Sequence, residues 1–596
     1  MSARDIAPRR VLIAAAAALA PAALTLAQPT VLRVDPAAPV PFEGSTWATA
    51  FTTINGAVAF ADALPDSQPV ELWIVGGTFT PTGAAAPGLP GDRNDAIRID
   101  RPLTVRGGFA GTETAADQRP DPELPSAPQT VITGDINTPG VRSDNSYNLL
   151  VIDSFGVELE RLTLTLGHAD GSGDRSTGGG ALATLGGPSF TDVRFVDNFA
   201  DEGGGLFTDN GVVTLTRCIF LSNNADTAGG GAFIADGATL LHTVFDANSA
   251  SIGGGLNICC GPILIDRSHF TGNLGTTGGG LFLGVTNNAV VRFTDVFDNA
   301  AVRGGGVYAA SRDARIDSSR ISSNTADEGG AVYVDRDLSV ANSTFVRNRA
   351  FTSGGAFWNG DDLTLTHVTL FANAAQFNGG GVFNALGSTS ALNSVFWANS
   401  DTAGVSEAAQ LFVGFGSATA DFSCIDGYTG LAPGTGSFAA NPAFTDPAGP
   451  DGSLGSLDDD LSLSDGSPLI DAADGSALPP DLADLDNDGD TAEPLSADIA
   501  GLRRAIDAPL VANAGVPVDF DDGVPDVGAF ELDPGCPADF NNDGFVDISD
   551  FFLLGSSFGQ AAGSPADADG DGDTDISDFF ALGGQFGADC TQLTLP

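Results

Sequence analysis

The sequence of 596 residues contains no lysine, so all 25 of its basic residues are arginine, against 76 acidic residues. The net charge is −51, and no basic residue follows Arg504. Nucleic-acid binding needs clustered positive charge to displace phosphate counterions, and attraction to an anionic membrane surface has the same requirement. The composition therefore excludes both partners. The missing lysine also excludes Schiff-base enzymes, P-loop NTPases and protein kinases.

Charged residues make up only 17% of the chain, below the roughly 25% typical of globular proteins. Glycine is abundant instead, with 78 residues. Because glycine adopts backbone conformations that other residues avoid, this composition favours many tight turns over long helices. The 42% of apolar residues are enough for a sizeable core.

The N-terminus has the pattern of a secretory signal. Arg4, Arg9 and Arg10 precede an apolar run over residues 11–26, and small residues lead to Ala27. This run is shorter than the roughly 20 residues that span a bilayer, so we predict a signal peptide over residues 1–27. The sequence leaves Sec and twin-arginine export open. The mature protein is expected to be secreted or held at the cell surface or envelope, with no membrane insertion after cleavage.

Export makes disulfides possible for the six cysteines. Cys536 and Cys590 enclose a short C-terminal segment, and we predict that they are joined. The pairing of the other four stays open: Cys218, Cys259, Cys260 and Cys424.

A repeat of about 25 residues is the strongest signal in the chain. Each unit carries an apolar residue followed three positions later by asparagine, and a glycine run follows most of these asparagines. The asparagines are expected to stack as a ladder from one unit to the next: Asn198, Asn223, Asn248, Asn273, Asn299, Asn324, Asn348, Asn373 and Asn399.

The unit is interpreted as three short strands and three turns. A second apolar column lies five residues before the first, as with Phe190 and Phe195. Since side chains of a strand alternate with period two, an odd spacing requires a bend, which we place at the Ser, Thr or Cys two residues before the first column. The sequence thus predicts an all-β, right-handed parallel β-helix, a solenoid whose coils bury their inner residues against their neighbours. A leucine-rich repeat is the main alternative.

The domain boundaries follow from where the repeat is regular. We expect a signal peptide over 1–27, an N-terminal cap and irregular coils over 28–177, regular repeats over 178–399, last coils and a closing segment over 400–535, and a separate module over 536–596. Residues 467–471 and 525–531 are predicted as final strands.

The alternation of F-x-x-N with a glycine run and an aliphatic residue resembles the repeats of chlamydial polymorphic outer-membrane proteins. Those proteins have the pectin-lyase-like right-handed β-helix. The resemblance covers residues 178–399 and implies the fold, but that superfamily includes lyases, hydrolases and non-catalytic adhesins.

Two 12-residue segments match calcium-binding loops, with acidic or amide residues at positions 1, 3, 5, 9 and 12 and glycine at position 6. They predict two bound calcium ions. The first set of ligands is Asp539, Asn541, Asp543, Phe545 (carbonyl), Asp547 and Asp550, and the second is Asp567, Asp569, Asp571, Asp573 (carbonyl), Asp575 and Asp578.

Each loop is followed by one short apolar segment, and this tandem arrangement resembles the dockerin module. The resemblance implies a small α-helical domain over 536–590 that docks onto a cohesin-like or other cell-envelope protein. The Cys536/Cys590 pair departs from the cellulosomal pattern, which leaves the partner open.

No acid–base motif of the polygalacturonase type is present. The best catalytic constellation is the column three residues before the apolar one, with Asp192, Arg217, His242 and Arg267 on consecutive units. We favour a polar bend column with no catalytic role. A column after the glycine runs contains Phe207, Phe233, Phe282, Tyr308, Phe357 and Phe383, with Asn257 and Trp358 as interruptions. We expect it to be core; facing solvent, it would instead be a strip for stacking against sugar rings.

The sequence as a whole predicts a secreted, non-catalytic β-helix protein that binds extracellular polysaccharide or surface material and is tethered through a calcium-dependent module. The alternative is a polysaccharide lyase or glycoside hydrolase on the same scaffold.

Overall fold

The computed structural model of the protein describes residues 28–39, 43–81, 91–122, 124–284, 288–478, 480–481, 493–495, 497–502, 504, 513–518, 523–532, 540, 548–557 and 582. The predicted signal peptide, the Cys536/Cys590 pair and all the predicted calcium ligands except Asp550 lie outside this set. Within it, no helix is long and apolar enough to cross a membrane.

The chain is a parallel β-solenoid built from three long sheets, here named A, B and C, with nine regular turns between Asn198 and Asn399. Sheet A comprises Thr30–Val34, Val70–Val75, Leu103–Phe109, Val157–Glu160, Ser189–Thr191, Val213–Thr216, Ala238–Leu241, Ile263–Asp266, Ala289–Arg292, Ala314–Asp317, Leu338–Ala341, Asp362–Thr366, Ser388–Leu392 and Ser417–Asp421. Sheet B comprises Gly77–Phe79, Thr130–Thr133, Leu162–Thr165, Arg194–Val196, Ile219–Leu221, Val244–Asp246, His269–Thr271, Asp295–Phe297, Arg320–Ser322, Thr344–Val346, Thr369–Phe371, Val395–Trp397 and Cys424–Ile425. Sheet C comprises Ile97–Ile99, Leu150–Asp153, Ala181–Leu185, Leu206–Thr208, Ala232–Ile234, Leu256–Ile258, Leu281–Leu283, Val307–Ala309, Val332–Val334, Phe357–Asn359, Val382–Asn384 and Leu411–Val413.

Shorter elements complete the fold. Two three-stranded parallel sheets lie between sheets B and C: His168–Ala169, Phe199–Glu202 and Asn224–Ala228, then Thr325–Glu328, Arg349–Ser353 and Ala374–Ala375. Phe444–Asp446 and Asp460–Leu463 form an antiparallel pair. The α-helices are Ile54–Asp62, Glu407–Gln410 and Ile548–Ser557, and the 3₁₀-helices are Trp47–Thr49, Ala116–Gln118, Arg142–Asp144, Gly173–Ser176 and Gly475–Ala477.

In the core, equivalent residues of successive coils lie next to one another. Each residue of a strand pairs with the residue one repeat away, as Phe195 does with Phe220. Phe195, Phe220, Phe245 and Phe270 are fully buried, and their rings are stacked with centroids 4.5, 4.5 and 4.9 Å apart. We call these four residues the inner phenylalanine ladder. Sheet A contributes the second inward column, which includes Leu215 and Leu240.

The bend between sheets A and B lies one residue earlier than predicted. The residue three before the phenylalanine has a left-handed backbone, with φ of 51° at Arg217 and 52° at His242. The side chain two before it is inward and buried, as at Thr243, whose N–H donates to Ser268 Oγ at 3.1 Å. The left-handed residue therefore provides the change of direction, and the hydroxyl that follows it links successive coils.

The glycine runs allow a sharp turn and close packing of coils. The first glycine of a run has positive φ, such as 64° at Gly203. A Cβ on the next one, Gly204, would lie 2.4 Å from the carbonyl oxygen of Asn224. Since real Cβ atoms do not approach backbone so closely, the second position also requires glycine.

The ends of the solenoid differ from each other. Near the N-terminus, helix Ile54–Asp62 buries Ile54, Ala57, Val58 and Ala61. Near the C-terminus, the described parts of residues 443–532 lie against the outer side of sheet B, where Arg347 donates to Leu454 O at 2.8 Å and Thr369 Oγ1 accepts from Ala529 N at 3.0 Å. Residues 467–471 and 525–531 were expected to be strands but form turns and bends. Their backbones bond to each other and to a bend of the solenoid instead of extending a sheet, since Val527 N donates to Leu469 O at 3.0 Å and Gly528 N donates to Asn393 O at 2.8 Å.

Candidate functional sites

The aromatic column of sheet C faces outward, so its assignment to the core was wrong. Phe207, Phe233 and Tyr308 are part-exposed, each between two fully or nearly fully buried neighbours on its strand. The in-register column has nine positions, which we call the outer aromatic ladder, and eight of them are aromatic: Phe207, Phe233, Asn257, Phe282, Tyr308, Tyr333, Trp358, Phe383 and Phe412.

Two residues of this column were misassigned or missed by the sequence analysis. Phe357 is fully buried, and its neighbour Trp358 occupies the outward position. Tyr333 also belongs to the column and was not noted. A constant offset would have found both, since from Phe207 to Phe383 every ladder residue lies four positions after the first glycine of its run.

From Phe282 to Trp358, neighbouring rings of the outer aromatic ladder are nearly parallel and displaced sideways. Centroids are 5.3 Å apart for Phe282 and Tyr308, 4.9 Å for Tyr308 and Tyr333, and 4.2 Å for Tyr333 and Trp358, with interplanar angles of 14° or less. Carbon atoms in contact are about 3.5–4.0 Å apart, so the wider separations mean that neighbouring rings are displaced sideways. The aromatic residues of the ladder are part-exposed, except Tyr333, which is 7% exposed.

Asn257 interrupts the ladder between Phe233 and Phe282. Its side chain is 4% exposed, and its Oδ1 has no hydrogen-bond partner. The strand that carries it ends beside Cys259 and Cys260, whose sulfur atoms are 3.1 Å apart as free thiols. Within the described part of the chain all four cysteines are unpaired, and burial raises the pKa of Cys218 to about 12.

The four candidate catalytic residues occupy the bend between sheets A and B. Arg217 makes a two-pronged ion pair with Asp192, at 2.7 and 2.9 Å. Arg267 pairs with Asp266 at 3.1 Å and lies over the ring of Phe293. All four have positive φ, and polar side chains suit such exposed bends, Asp tolerating this backbone region better than most residues.

His242 is exposed on this bend, between the coils that carry Arg217 and Arg267. Both arginines are committed to carboxylates. The structure thus joins Asp192 with Arg217 and leaves Arg267 in a separate pair. The geometry supplies no acid, base and nucleophile around one point.

A second polar cluster, on the outer face of sheet B, was missed by the sequence analysis. His269 Nδ1 lies 3.1 Å from Asp295 Oδ2, and Arg320 Nε lies 3.0 Å from Asp295 Oδ1. Asp295 is largely buried, while the histidine side chain is 44% exposed. These three residues occupy adjacent coils one position before the inward column, and this outward register is the signal that could have revealed them.

The cluster borders a cleft of about 350 Å³ between sheet B and the closing segment, lined among others by Phe293, Asp295 and Arg320. Arg292 binds Asp266 nearby, with 3.0 Å between Nη2 and Oδ2. Asp317 is fully buried; burial raises its pKa to about 6, although Arg315 at 3.3 Å opposes the shift. A histidine held by a carboxylate is a potential acid or base, so this site has the chemistry for proton transfer.

The predicted asparagine residues form a continuous hydrogen-bonded ladder. Asn223 Nδ2 donates to Asn248 Oδ1 at 3.0 Å and to Phe195 O at 2.9 Å. The same pattern continues along the regular turns, and Gln410 accepts the last bond from Asn399 Nδ2 at 2.7 Å. The nine asparagines are buried, which indicates a role in joining coils.

One predicted calcium ligand and one further carboxylate cluster lie among the described residues. Asp550 is fully buried in helix Ile548–Ser557, while the other predicted calcium ligands lie outside the described residues. Among the described residues, Asp337, Asp361 and Asp362 place carboxylate oxygens within 4.8 Å of one another, where two successive coils pass from sheet C to sheet A. Burial and the two neighbouring aspartates raise the pKa of Asp337.

No family model matches the sequence, and no curated protein is similar to it. Solved structures that resemble the fold include three polysaccharide lyases. The pectate lyase Pel9A has 13% identity and a TM-score of 0.33, with 85% of this chain and 98% of that chain covered. The PL6 family alginate lyase AlyGC has 12% identity and a TM-score of 0.39, covering 75% and 60%. A rhamnogalacturonan lyase has 13% identity and a TM-score of 0.33, covering 73% and 97%. At these scores the likeness adds nothing about activity to the solenoid seen directly.

Proposed function

We propose that this protein is an exported, non-catalytic β-helix that binds an extended polysaccharide along the outer aromatic ladder. The observation that carries the proposal is the row of eight aromatic residues on one outward column of sheet C, of which all but Tyr333 are part-exposed. Large aromatic side chains usually lie in cores or at interfaces. Their repeated placement on an outward face is unexpected unless that face is used.

The dimensions of the ladder favour a long, regular ligand. At about 4.8 Å per strand, its nine positions span about 38 Å. A polymer whose units follow one another at about the strand spacing would place consecutive sugars against equivalent aromatic positions. The offset of the rings exposes apolar faces against which the C–H faces of sugars pack.

Attachment is the second part of the proposal. A signal peptide over residues 1–27 delivers the protein outside the cytoplasm, and the two calcium loops over 539–578 form a docking module for a cell-envelope protein. Eleven aspartates and no basic residues occupy 536–596. Without calcium these charges repel one another, so calcium binding and folding of the module are coupled.

Trp358→Ala tests the binding surface. Titration with soluble polysaccharides, followed by tryptophan fluorescence and by retardation in polysaccharide gels, should show binding by the wild type that falls at least about tenfold in the variant. Phe155→Ala is the matched control, because Phe155 is 67% exposed in a turn outside the ladder. Equal affinity of all three proteins would refute binding at this surface.

Cell fractionation tests the tether. The full-length protein should remain with the envelope in calcium and be released by EDTA, whereas a variant with Asp539→Ala and Asp567→Ala should be released in both conditions. Retention of that variant at the wild-type level would contradict a calcium-dependent attachment.

The second candidate function is cleavage of a polysaccharide at His269, favoured by its 3.1 Å contact with Asp295. Incubation with neutral and acidic polysaccharides, followed by assays for reducing ends and for unsaturated products, distinguishes it from binding alone. Products that disappear in His269→Ala would establish the enzyme and displace the non-catalytic proposal.

A further inference from the structure

We infer that the ligand of the outer aromatic ladder is an uncharged polysaccharide rather than a polyuronate or another acidic glycan. This inference rests on the proposed binding function. It comes from the charged residues that flank the ladder on both sides.

One flank consists of the turns that connect sheet C to sheet A. Over the described parts of these turns between residues 209 and 416, six aspartates stand against two arginines, Arg312 and Arg336. The aspartates are Asp209, Asp236, Asp313, Asp335, Asp337 and Asp361. Asp335 interacts with Tyr308 of the ladder itself, and burial together with that carboxylate raises the pKa of the tyrosine.

This acidic flank is concentrated beside Tyr333 and Trp358. Asp337 and Asp361 share the carboxylate cluster completed by Asp362. Like charges held this closely repel any further anion, so a glycan carboxylate laid along the ladder would meet an unfavourable potential near its centre.

The other flank offers few cations. Arg303 lies over the ring of Tyr333 at 5.6 Å, but it is paired with Glu328 at 3.2 Å. Arg349 lies over Phe351 at 5.0 Å. Asp226 and Asp327 are exposed on the same side. Recognition of a carboxylate usually relies on arginine or lysine forks, and the ladder region presents no free row of them among the described residues.

The same carboxylates suit an uncharged glycan. Sugar hydroxyl groups are donors, and ionised aspartates are strong acceptors. An aromatic strip flanked by acceptors can therefore bind both the apolar faces and the hydroxyl rims of neutral sugars, without the cost of bringing an anion to a protein with a net charge of −51.

The experiment compares four soluble polymers with the full-length protein: a β-glucan and a galactomannan as neutral probes, polygalacturonate and alginate as acidic ones. Each is titrated at low and high salt, with calcium and with EDTA. We expect at least one neutral polymer to bind at least about tenfold more tightly than either acidic polymer, with little dependence on salt and with loss of binding in Trp358→Ala.

Acidic polymers that bind as tightly as neutral ones through Trp358, with or without calcium, would overturn the inference and leave the binding function standing. Absence of any Trp358-dependent binding would instead overturn the proposed function and the inference with it.

Trp358→Phe, which keeps a ring at the position, should retain binding and guards against misfolding of the alanine variant. Asp361→Asn combined with Asp362→Asn should narrow the difference between neutral and acidic polymers, whereas an unchanged ratio would contradict the role of the acidic flank.

Discussion

Sheet B directs its aromatic rings into the core of the solenoid, whereas sheet C directs its aromatic rings outward. In sheet B, Phe220 and Phe245 stack inward at 4.5 Å and are fully buried. In sheet C, Phe207 and Phe233 stack outward at 5.1 Å and are part-exposed. The residue type and the stacking are alike, so the difference lies in the register of one residue along each strand. The inner ladder stabilises the fold, while the outer one leaves a surface for a ligand.

Alanine at the two positions should give the largest difference. Phe220→Ala removes a ring stacked between Phe195 and Phe245 and leaves a cavity, which should lower the free energy of unfolding by about 3–5 kcal/mol. Phe233→Ala removes a part-exposed cross-strand contact and should cost about 1 kcal/mol or less. Denaturant titration followed by circular dichroism measures both, and equal losses would show that exposure does not distinguish the ladders.

The buried asparagine ladder allows a second comparison of a buried position with an exposed one. Asn248→Ala removes the acceptor of the Asn223 side chain and backbone N–H and the donor to Phe220 O. Because buried groups left unpaired cost about 1–3 kcal/mol each, this variant should lose at least about 2 kcal/mol of stability. Ser251→Ala, at an exposed position three residues away, is the control. A loss confined to the control's level would mean that the amide ladder contributes little.

The stability of the protein should depend on pH through the buried carboxyl of Asp317. Burial raises the pKa of Asp317 to about 6, above about 3.9 in an unfolded chain. The folded state thus holds this proton more firmly, so the contribution of Asp317 to stability is present below about pH 4 and is lost as pH rises through 6. Between pH 4 and 7 the wild type should lose up to about 3 kcal/mol relative to Asp317→Asn.

Stability of the two proteins measured by denaturant titration at several pH values tests this. Asp335→Asn, in an exposed turn between sheets C and A, is the control variant. Parallel profiles for the wild type and Asp317→Asn would contradict a raised pKa at this buried carboxyl.

The smallest expected effect comes from placing an aromatic ring at the one non-aromatic position of the outer aromatic ladder. Asn257→Phe would join Phe233 and Phe282 and remove the buried Oδ1 that has no partner. We expect a gain in stability of about 0.5–1 kcal/mol and tighter binding of a neutral polysaccharide. A loss of stability or of binding would indicate that the gap at Asn257 is part of the site.

Sequence periodicity accounts for most of the fold. The spacing of the asparagines and the glycine runs predicted a parallel β-solenoid, because only a stack of coils brings one residue type to the same place every 24 to 26 residues. The structure places the bend between sheets A and B one residue earlier than predicted. The sequence pattern allowed both positions, because a hydroxyl-bearing residue beside a left-handed position can be either the turn residue or the buried residue that follows it. The two predicted final strands were wrong because these segments bond to each other and to the bend at Asn393 instead of extending a sheet.

The sequence by itself determined the repeat, the inward phenylalanines and the file of asparagines, since these depend on local spacing and on stacking of identical coils. The direction of the sheet C aromatics was decided by the tertiary structure. A strand that follows a run of glycines can start on either face, and only the packing of Leu206, Phe357 and their neighbours in the core sets which residues point out. The contacts of the His269–Asp295–Arg320 cluster were also decided by the tertiary structure, although the shared register of the three residues was visible in the sequence. Its members are about 25 residues apart and come within 3.1 Å only because the coils are stacked in register.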